Sequence, residues 1–191
     1  MSYPAVIITL PSWVDAFISE VTVDFSDINQ RMAFAAMLAV RNVEAGTGGP
    51  FGAAIFSIRE HRLIAPGVNL VMSANMSSAH AEIVAISVAQ QVLKTFDLNA
   101  ADADGYELVT SCEPCAMCLG AIPWSGVRRV VCGATEADAA SVGFHEGIKP
   151  QPWQHALTAR GIKVETEVIR DAANEAFRRY RELGGAIYNA S

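Results

Sequence analysis

The chain has 191 residues, about one to one and a half domains at roughly 150 residues each. Half of it (51%) is apolar and 18% is charged, which excludes a disordered chain and leaves ample material for a core. Acidic residues outnumber basic ones, 20 to 14, for a net charge of −6, so the chain lacks the overall basic footprint of a protein built to hold a phosphate backbone.

Residues 1–26 read as an N-terminal extension, and 27–191 as one domain with no repeat, low-complexity tract or linker. Met1 to Leu10 has no basic cluster ahead of its apolar stretch, so no secretory signal is expected and a cytoplasmic setting is. No run of roughly 18 apolar residues occurs, so no membrane span is expected either. Pro11 and Ser12 open a short helix over Trp13 to Ser19. Asp27 caps a longer helix to about Ala45, its side-chain oxygen accepting from the free N–H groups of the first turn. Met32, Ala35, Ala36, Ala39 and Val43 give that helix one apolar stripe, and Gly46, Gly48, Gly49 and Pro50 stop it. Ala53 to Ile58 and Leu63 to Met72 form a hairpin about a charged turn, Arg59 to Arg62, with the return strand broken at Pro66-Gly67. A buried helix spans about Ala79 to Lys94, and Asp97 to Gly105 is a polar loop. Tyr106 to Thr110 is a strand that leads into a helix from about Cys115 to Trp124. A strand at Arg128 to Gly133, a loop at Gly143 to Pro152, a helix at Trp153 to Arg160 and a strand at Ile162 to Thr166 follow. A terminal helix runs from Asp171 to Leu183. The alternation predicts an α/β chain folded as a three-layer α/β/α sandwich.

The cysteines, Cys112, Cys115, Cys118 and Cys132, fall within about twenty residues, too bunched for a disulfide framework and suited to a metal or redox site. Cys115 and Cys118 sit three apart and share one helix face. Cys115 opens its helix, where the partial positive charge favours a thiolate. Pro114 suits that entry because it needs no N–H partner. With the imidazole of His80 the two thiolates make three ligands of the kind zinc prefers. Three protein ligands leave a position for water, as a catalytic zinc requires; a closed knuckle with Cys112 as fourth ligand is the alternative. Glu82, two residues after His80, is placed to take a proton from that water and pass it to a substrate nitrogen. Cys132 reads as core and Cys112 as a bystander.

The pair His80-Ala81-Glu82 and Pro114-Cys115-Ala116-Met117-Cys118 resembles the H-x-E and P-C-x-x-C motifs of the zinc-dependent nucleobase deaminases, the cytidine deaminase superfamily. Gly49-Pro50-Phe51-Gly52-Ala53, Asn69, Thr110 to Cys115, Gly120 to Val127 and Gly143-Phe144-His145-Glu146-Gly147 are similar to the bacterial guanine deaminases within it. The resemblance implies a mixed sheet of about five strands, Zn2+ as cofactor, a homodimer, and a small nucleobase rather than nucleic acid as substrate. It implies hydrolytic deamination of guanine to xanthine and ammonia, with Glu82 and Glu146 catalytic.

In that subfamily the Gly-Phe loop carries two acids, of which the second contacts the substrate; Glu146 is that second acid, and His145 stands where the first is usual. A carboxylate suits guanine, whose N1–H and 2-amino group both donate. His145 keeps ammeline and other triazines, guanosine and other nucleosides as alternative substrates, and a tRNA adenosine deaminase shares both zinc motifs. Asn69 resembles the asparagine that hydrogen-bonds the ring. The Ala81 N–H, at a helix N-terminus, suits a ring carbonyl. Phe51 and Trp124 are expected to clamp the ring faces. Residues 171–191 are expected to cross to the partner in a dimer, with Tyr188 and Asn189 closing its site beyond the hinge at Gly184-Gly185.

Overall fold

In the computed structural model, which describes residues 2–189, one sheet is built from β1 (Gly52–Ser57), β2 (Leu63–Val68), β3 (Tyr106–Cys112), β4 (Arg129–Ala134) and β5 (Lys163–Glu165). Their spatial order is β2-β1-β3-β4-β5. β1 is antiparallel to β2 and β3, while β3, β4 and β5 are parallel, so the sheet is mixed. Alternation along the strands feeds two cores. Ala53, Ile55, Leu108 and Val130 meet Ala85 and Ile86 of α3 (Ala81–Leu93), Ile122 of α5 (Ala116–Ser125) and Leu157 of α7 (Trp153–Thr158). Ala54, Phe56, Val109 and Val131 face the other way, onto Met32, Phe34 and Leu38 of α2 (Ile28–Glu44). The expected three-layer sandwich with five mixed strands is what forms.

Residues between Ile8 and Phe25 contribute to the second core. Val14 and Phe17 of α1 (Trp13–Glu20) are buried, Phe17 stacks on Phe34 with centroids 5.6 Å apart, and Phe25 meets both Phe34 and Phe56. Asp27 caps α2 as expected, accepting from the Asn29 N–H.

Several elements differ from the sequence expectation. β2 runs unbroken through Pro66 and Gly67. It is an edge strand, so the N–H that proline lacks removes no second ladder. Gly67 is required by packing, since a Cβ there would collide with the backbone of Ala81 and Ala85 at the start of α3. The polar stretch after Asp97 contains α4 (Leu98–Ala101), capped by Asp97 and anchored by buried Leu98. An unexpected helix, α6 (Glu136–Ser141), follows β4; its signal is the capping box of Thr135 and Asp138. The terminal helix divides into α8 (Arg170–Ala173) and α9 (Glu175–Glu182), with Asn174 between them still in the right-handed region.

The centre of the sheet carries a buried charge. Glu107 on β3 pairs with Arg31 of α2 at 2.5 Å and with Arg129 of β4 at 3.1 Å. Arg31 also donates to the carbonyls of Phe25 and Ser26, tying the extension to the domain. Glu107→Gln leaves the Arg31 charge buried without its counterion, and urea unfolding is expected to show a loss of about 3–5 kcal/mol.

Asp138 makes two bonds to Arg170, at 2.8 and 2.9 Å, linking α6 to α8. The guanidinium, with help from Thr135, holds the Asp138 carboxyl well below the usual carboxylate range. A folded-state pKa below the ordinary 3.8 means that the contribution is complete above that pH and is lost as pH falls below it. Asp138→Asn is therefore expected to melt lower than wild type at pH 7, with the difference closing in acid.

Candidate metal centre and active-site cleft

β3 and β4 are parallel neighbours, and the chain leaves the carboxyl end of β3 directly into α5. Pro114 ends the strand segment and Cys115 becomes the N-cap of α5. His80 is the N-cap of α3. Two helices thus point their N-termini at one place, and their first residues bring the two sequence motifs together.

The Cys115 Sγ lies 3.4 Å from His80 Nδ1 and accepts from the Cys118 N–H, also at 3.4 Å. The donor atoms of His80, Cys115 and Cys118 all lie within 4.8 Å of one another. Ligand atoms of a tetrahedral zinc stand about 3.5–4 Å apart, so the set fits zinc in spacing as well as in chemistry. The Cys118 thiol, together with His80, pulls the Cys115 thiol down to about 4 against the opposing effect of burial. Cys118 is pushed up in turn, because it supplies the proton that Cys115 shares. Cys112 stands apart: it is buried and donates to the Thr135 carbonyl at 3.5 Å. Among the described residues the cluster therefore has three protein donors, not the four of a closed knuckle. Cys132 is buried in the core, as expected.

Beside the cluster is a cleft of about 170 Å³, small against the roughly 300–1,000 Å³ of pockets for drug-sized ligands. His80, Glu82, Glu146, Phe51, Phe144 and Tyr188 line it. Glu82, in the first turn of α3, is 6% exposed. Burial, and then the Cys115 thiolate, push its carboxyl up to about 7. Burial also pushes Glu146 up to about 8, with Cys115 and Glu82 adding to the effect. Two carboxyls near neutrality in one cleft are equipped to carry protons. The Glu146 carbonyl accepts from the Ala116 N–H at 2.8 Å, which docks its loop on the start of α5.

The remaining expected site residues are placed as follows. Phe51 meets Phe144 edge-on at 5.0 Å and forms part of the cleft wall. Ala81 is buried in the first turn of α3, where its N–H has no carbonyl one turn back to bond. Asn69 is buried just beyond β2 and its Oδ1 accepts from the N–H of Val71, a cleft residue, at 3.3 Å. Asn42 of α2 fixes this wall: its amide donates to the carbonyls of Gly49 and Asn69, both at 2.9 Å. Its Oδ1 accepts from Thr47, whose hydroxyl accepts from the Trp13 indole.

Asn69 and Ala81 are not among the residues that line the cleft, and Trp124 lies away from it altogether. It is 83% exposed and faces away from the cleft. The reason is helical phase: Ile122 points into the core, and two further residues turn the side chain by about 200°. The cleft wall beside Phe51 is Phe144, to which the sequence assigns no role; an aromatic next to Gly143 in the acid loop is the available signal.

The tail folds over the cleft of its own chain. Asn189 accepts from the His145 N–H and donates to the Gly143 carbonyl. Tyr188 meets Phe144 edge-on at 5.1 Å and occupies space that a side chain at Gly49 would fill. Its hydroxyl is buried and has no hydrogen-bond partner among the described residues. His145 sits exposed at the mouth.

An imidazole–dithiolate site with a buried carboxylate beside it, over the carboxyl ends of parallel strands, defines a zinc hydrolase rather than a structural zinc knuckle. The family model for the cytidine and deoxycytidylate deaminase zinc-binding region matches residues 26–134, and the chain belongs to that family. It is 46% identical over 112 residues to a guanine deaminase of Bacillus subtilis, covering 59% of this chain and 67% of that protein. A guanine deaminase structure from Nitrosomonas europaea superposes with a TM-score of 0.87 at 43% identity, covering 95% of this chain and 99% of that one. A structure in complex with 2,6-diaminopurine superposes with a TM-score of 0.88 at 45% identity, covering 97% of each chain. The Glu146 loop and the tail lie beyond the residues that the family model matches.

Elemental analysis is expected to find one zinc per chain in the wild type and in Cys112→Ser, and strongly reduced zinc in Cys115→Ser.

Proposed function

We propose that the protein hydrolyses guanine to xanthine and ammonia, as a cytoplasmic homodimer. The observation that carries the reading is the pairing of Glu146 with Glu82 across one small cleft beside the metal ligands. The similarity to guanine deaminases that extends over nearly the whole chain supports it. Among the described residues no helix is long and apolar enough to cross a membrane.

His80, Cys115 and Cys118 would hold zinc, which would supply a Lewis acid able to lower the pKa of water to near 7. Glu82 accepts the proton of the water that attacks C2 of guanine and delivers it to N3. Glu146 accepts from the donor edge formed by N1–H and the 2-amino group. Glu82 then takes the remaining proton of the oxygen added at C2, which reaches the departing amine from Glu82 directly or through Glu146, and ammonia and xanthine result. Phe51 and Phe144 hold the ring and Asn69 and the Ala81 N–H orient it. Tyr188 covers the cleft and excludes water. A tail exchanged between the subunits of a dimer would serve the same purpose on the partner's cleft.

His145 at the mouth favours a second reading, in which the preferred substrate is another amino-substituted ring such as ammeline or a nucleoside. Ammonia release from guanine, guanosine, adenine, cytosine, cytidine and ammeline separates the readings, with guanine expected to be fastest. Inosine formation in tRNA, with none of these bases turned over, would overturn both. Glu82→Gln is expected to retain zinc and to lower kcat by about 10²–10⁴-fold.

A further inference from the structure

We propose that Lys149 is a positioning residue that sets Glu146 relative to the Cys115 turn, by holding the carbonyl of Pro114. The inference rests on the reading in which Glu146 acts on the substrate.

The Lys149 side chain is completely buried, although it carries a charge. A buried ammonium is tolerated only when its N–H groups and its charge are answered. Its Nζ donates to the Pro114 carbonyl at 3.0 Å and pairs with Glu136 of α6 at 3.1 Å. It also lies 5.7 Å from the centre of the Trp153 ring, on α7. Three segments therefore converge on one ammonium. Neither the metal site nor the reaction uses it directly.

What matters is where those partners lie. Pro114 and Ala116 flank the metal ligand Cys115. Each is bonded to the acid loop: Ala116 through its N–H to the Glu146 carbonyl, Pro114 through its carbonyl to Lys149. The loop and the thiolate turn are thus joined at two points, one on each side of the ligand. Between the two attachments on the loop lies Gly147, with φ +74°, a position where the backbone has little steric restraint of its own. With a single attachment the loop would pivot about the Ala116 bond. With two, the direction of the Glu146 carboxyl towards the cleft is fixed. The Glu136 N–H in turn donates to the Glu113 carboxylate at 2.9 Å, so Glu136 supports the same turn from the α6 side.

The test compares Lys149→Met and Glu136→Gln, each in wild-type and Glu146→Gln backgrounds, in zinc-loaded protein. Methionine keeps length and apolar volume and removes all three donors. Lys149→Met is expected to lower kcat for ammonia release by about tenfold to a hundredfold with zinc content unchanged. Glu136→Gln, a half-exposed position that leaves the Pro114 bond in place, is expected to give a smaller loss. In the Glu146→Gln background both losses should vanish, because the residue through which they act is gone. The thiolate-to-metal absorption band of the cobalt-substituted protein is expected to shift in Lys149→Met and reports the Cys115 turn without any substrate. Unchanged kcat in both variants, equal losses in both backgrounds, or an unmoved cobalt band would each overturn the proposal. If Lys149→Met does not fold, equal losses for Glu136→Gln in both backgrounds, or none in either, overturn it. A wild-type enzyme inactive on guanine would refute the guanine reading, while the cobalt band would still test the tie between Lys149 and the turn.

Discussion

The contact between the Cys115 sulfur and the His80 ring, 3.4 Å apart, imposes the tightest demand on the fold. Two side chains 35 residues apart must meet at the N-termini of two different helices. That requires α3 and α5 to lie on one face of the sheet and to start at the same end. Parallel pairing of β3 with β4 sets the direction of α5, because the chain crosses from one strand to the other through that helix. The position of α3 depends on how near its first turn comes to β2, and Gly67 permits a distance that any side chain would prevent. A methyl group there would displace His80 and Glu82 together, although it touches neither.

Electrostatics follow from that geometry. Helix N-termini favour anions, so the convergence of two of them stabilises the Cys115 thiolate and gathers acidic groups around it. Burial then works against the carboxylates. Glu82 and Glu146 are driven towards neutrality by loss of water and by the thiolate's charge. A divalent cation on the sulfurs relieves the concentration of negative charge, which makes the metal part of the site's charge balance as well as its chemistry. Lys149 is a cation built into the scaffold behind this region, and Glu107 with its two arginines is a separate charged centre across the sheet. The first attaches a loop to the metal turn; the second attaches α2 and the N-terminal extension to the strands.

Much of the structure was legible from local signals. Asp27 announced α2, the Pro114-Cys115 step announced α5, and the period of apolar residues separated strands from helices. The misread places share a cause. Pro66-Gly67 looks like a break because proline and glycine are local breakers, yet an edge position and a close helix make both acceptable. Trp124 looks like a ring wall because it is aromatic and near a metal motif, but helical phase turns it outward. Phe144 and Asn42 went unassigned because their roles depend on partners distant in the chain.

The sequence by itself determined the ligand types, Glu82 as the candidate proton carrier and the α/β class, because those depend on residue chemistry and on spacings within a few turns of chain. Tertiary structure removed Cys112 as the alternative fourth ligand, brought Glu146 into one cleft with Glu82, made the extension part of a core, and laid the tail over the cleft of its own chain. Each of these is a distance between residues far apart in the chain. Such distances are set by sheet order and by how closely helices pack on strands, which no local spacing encodes.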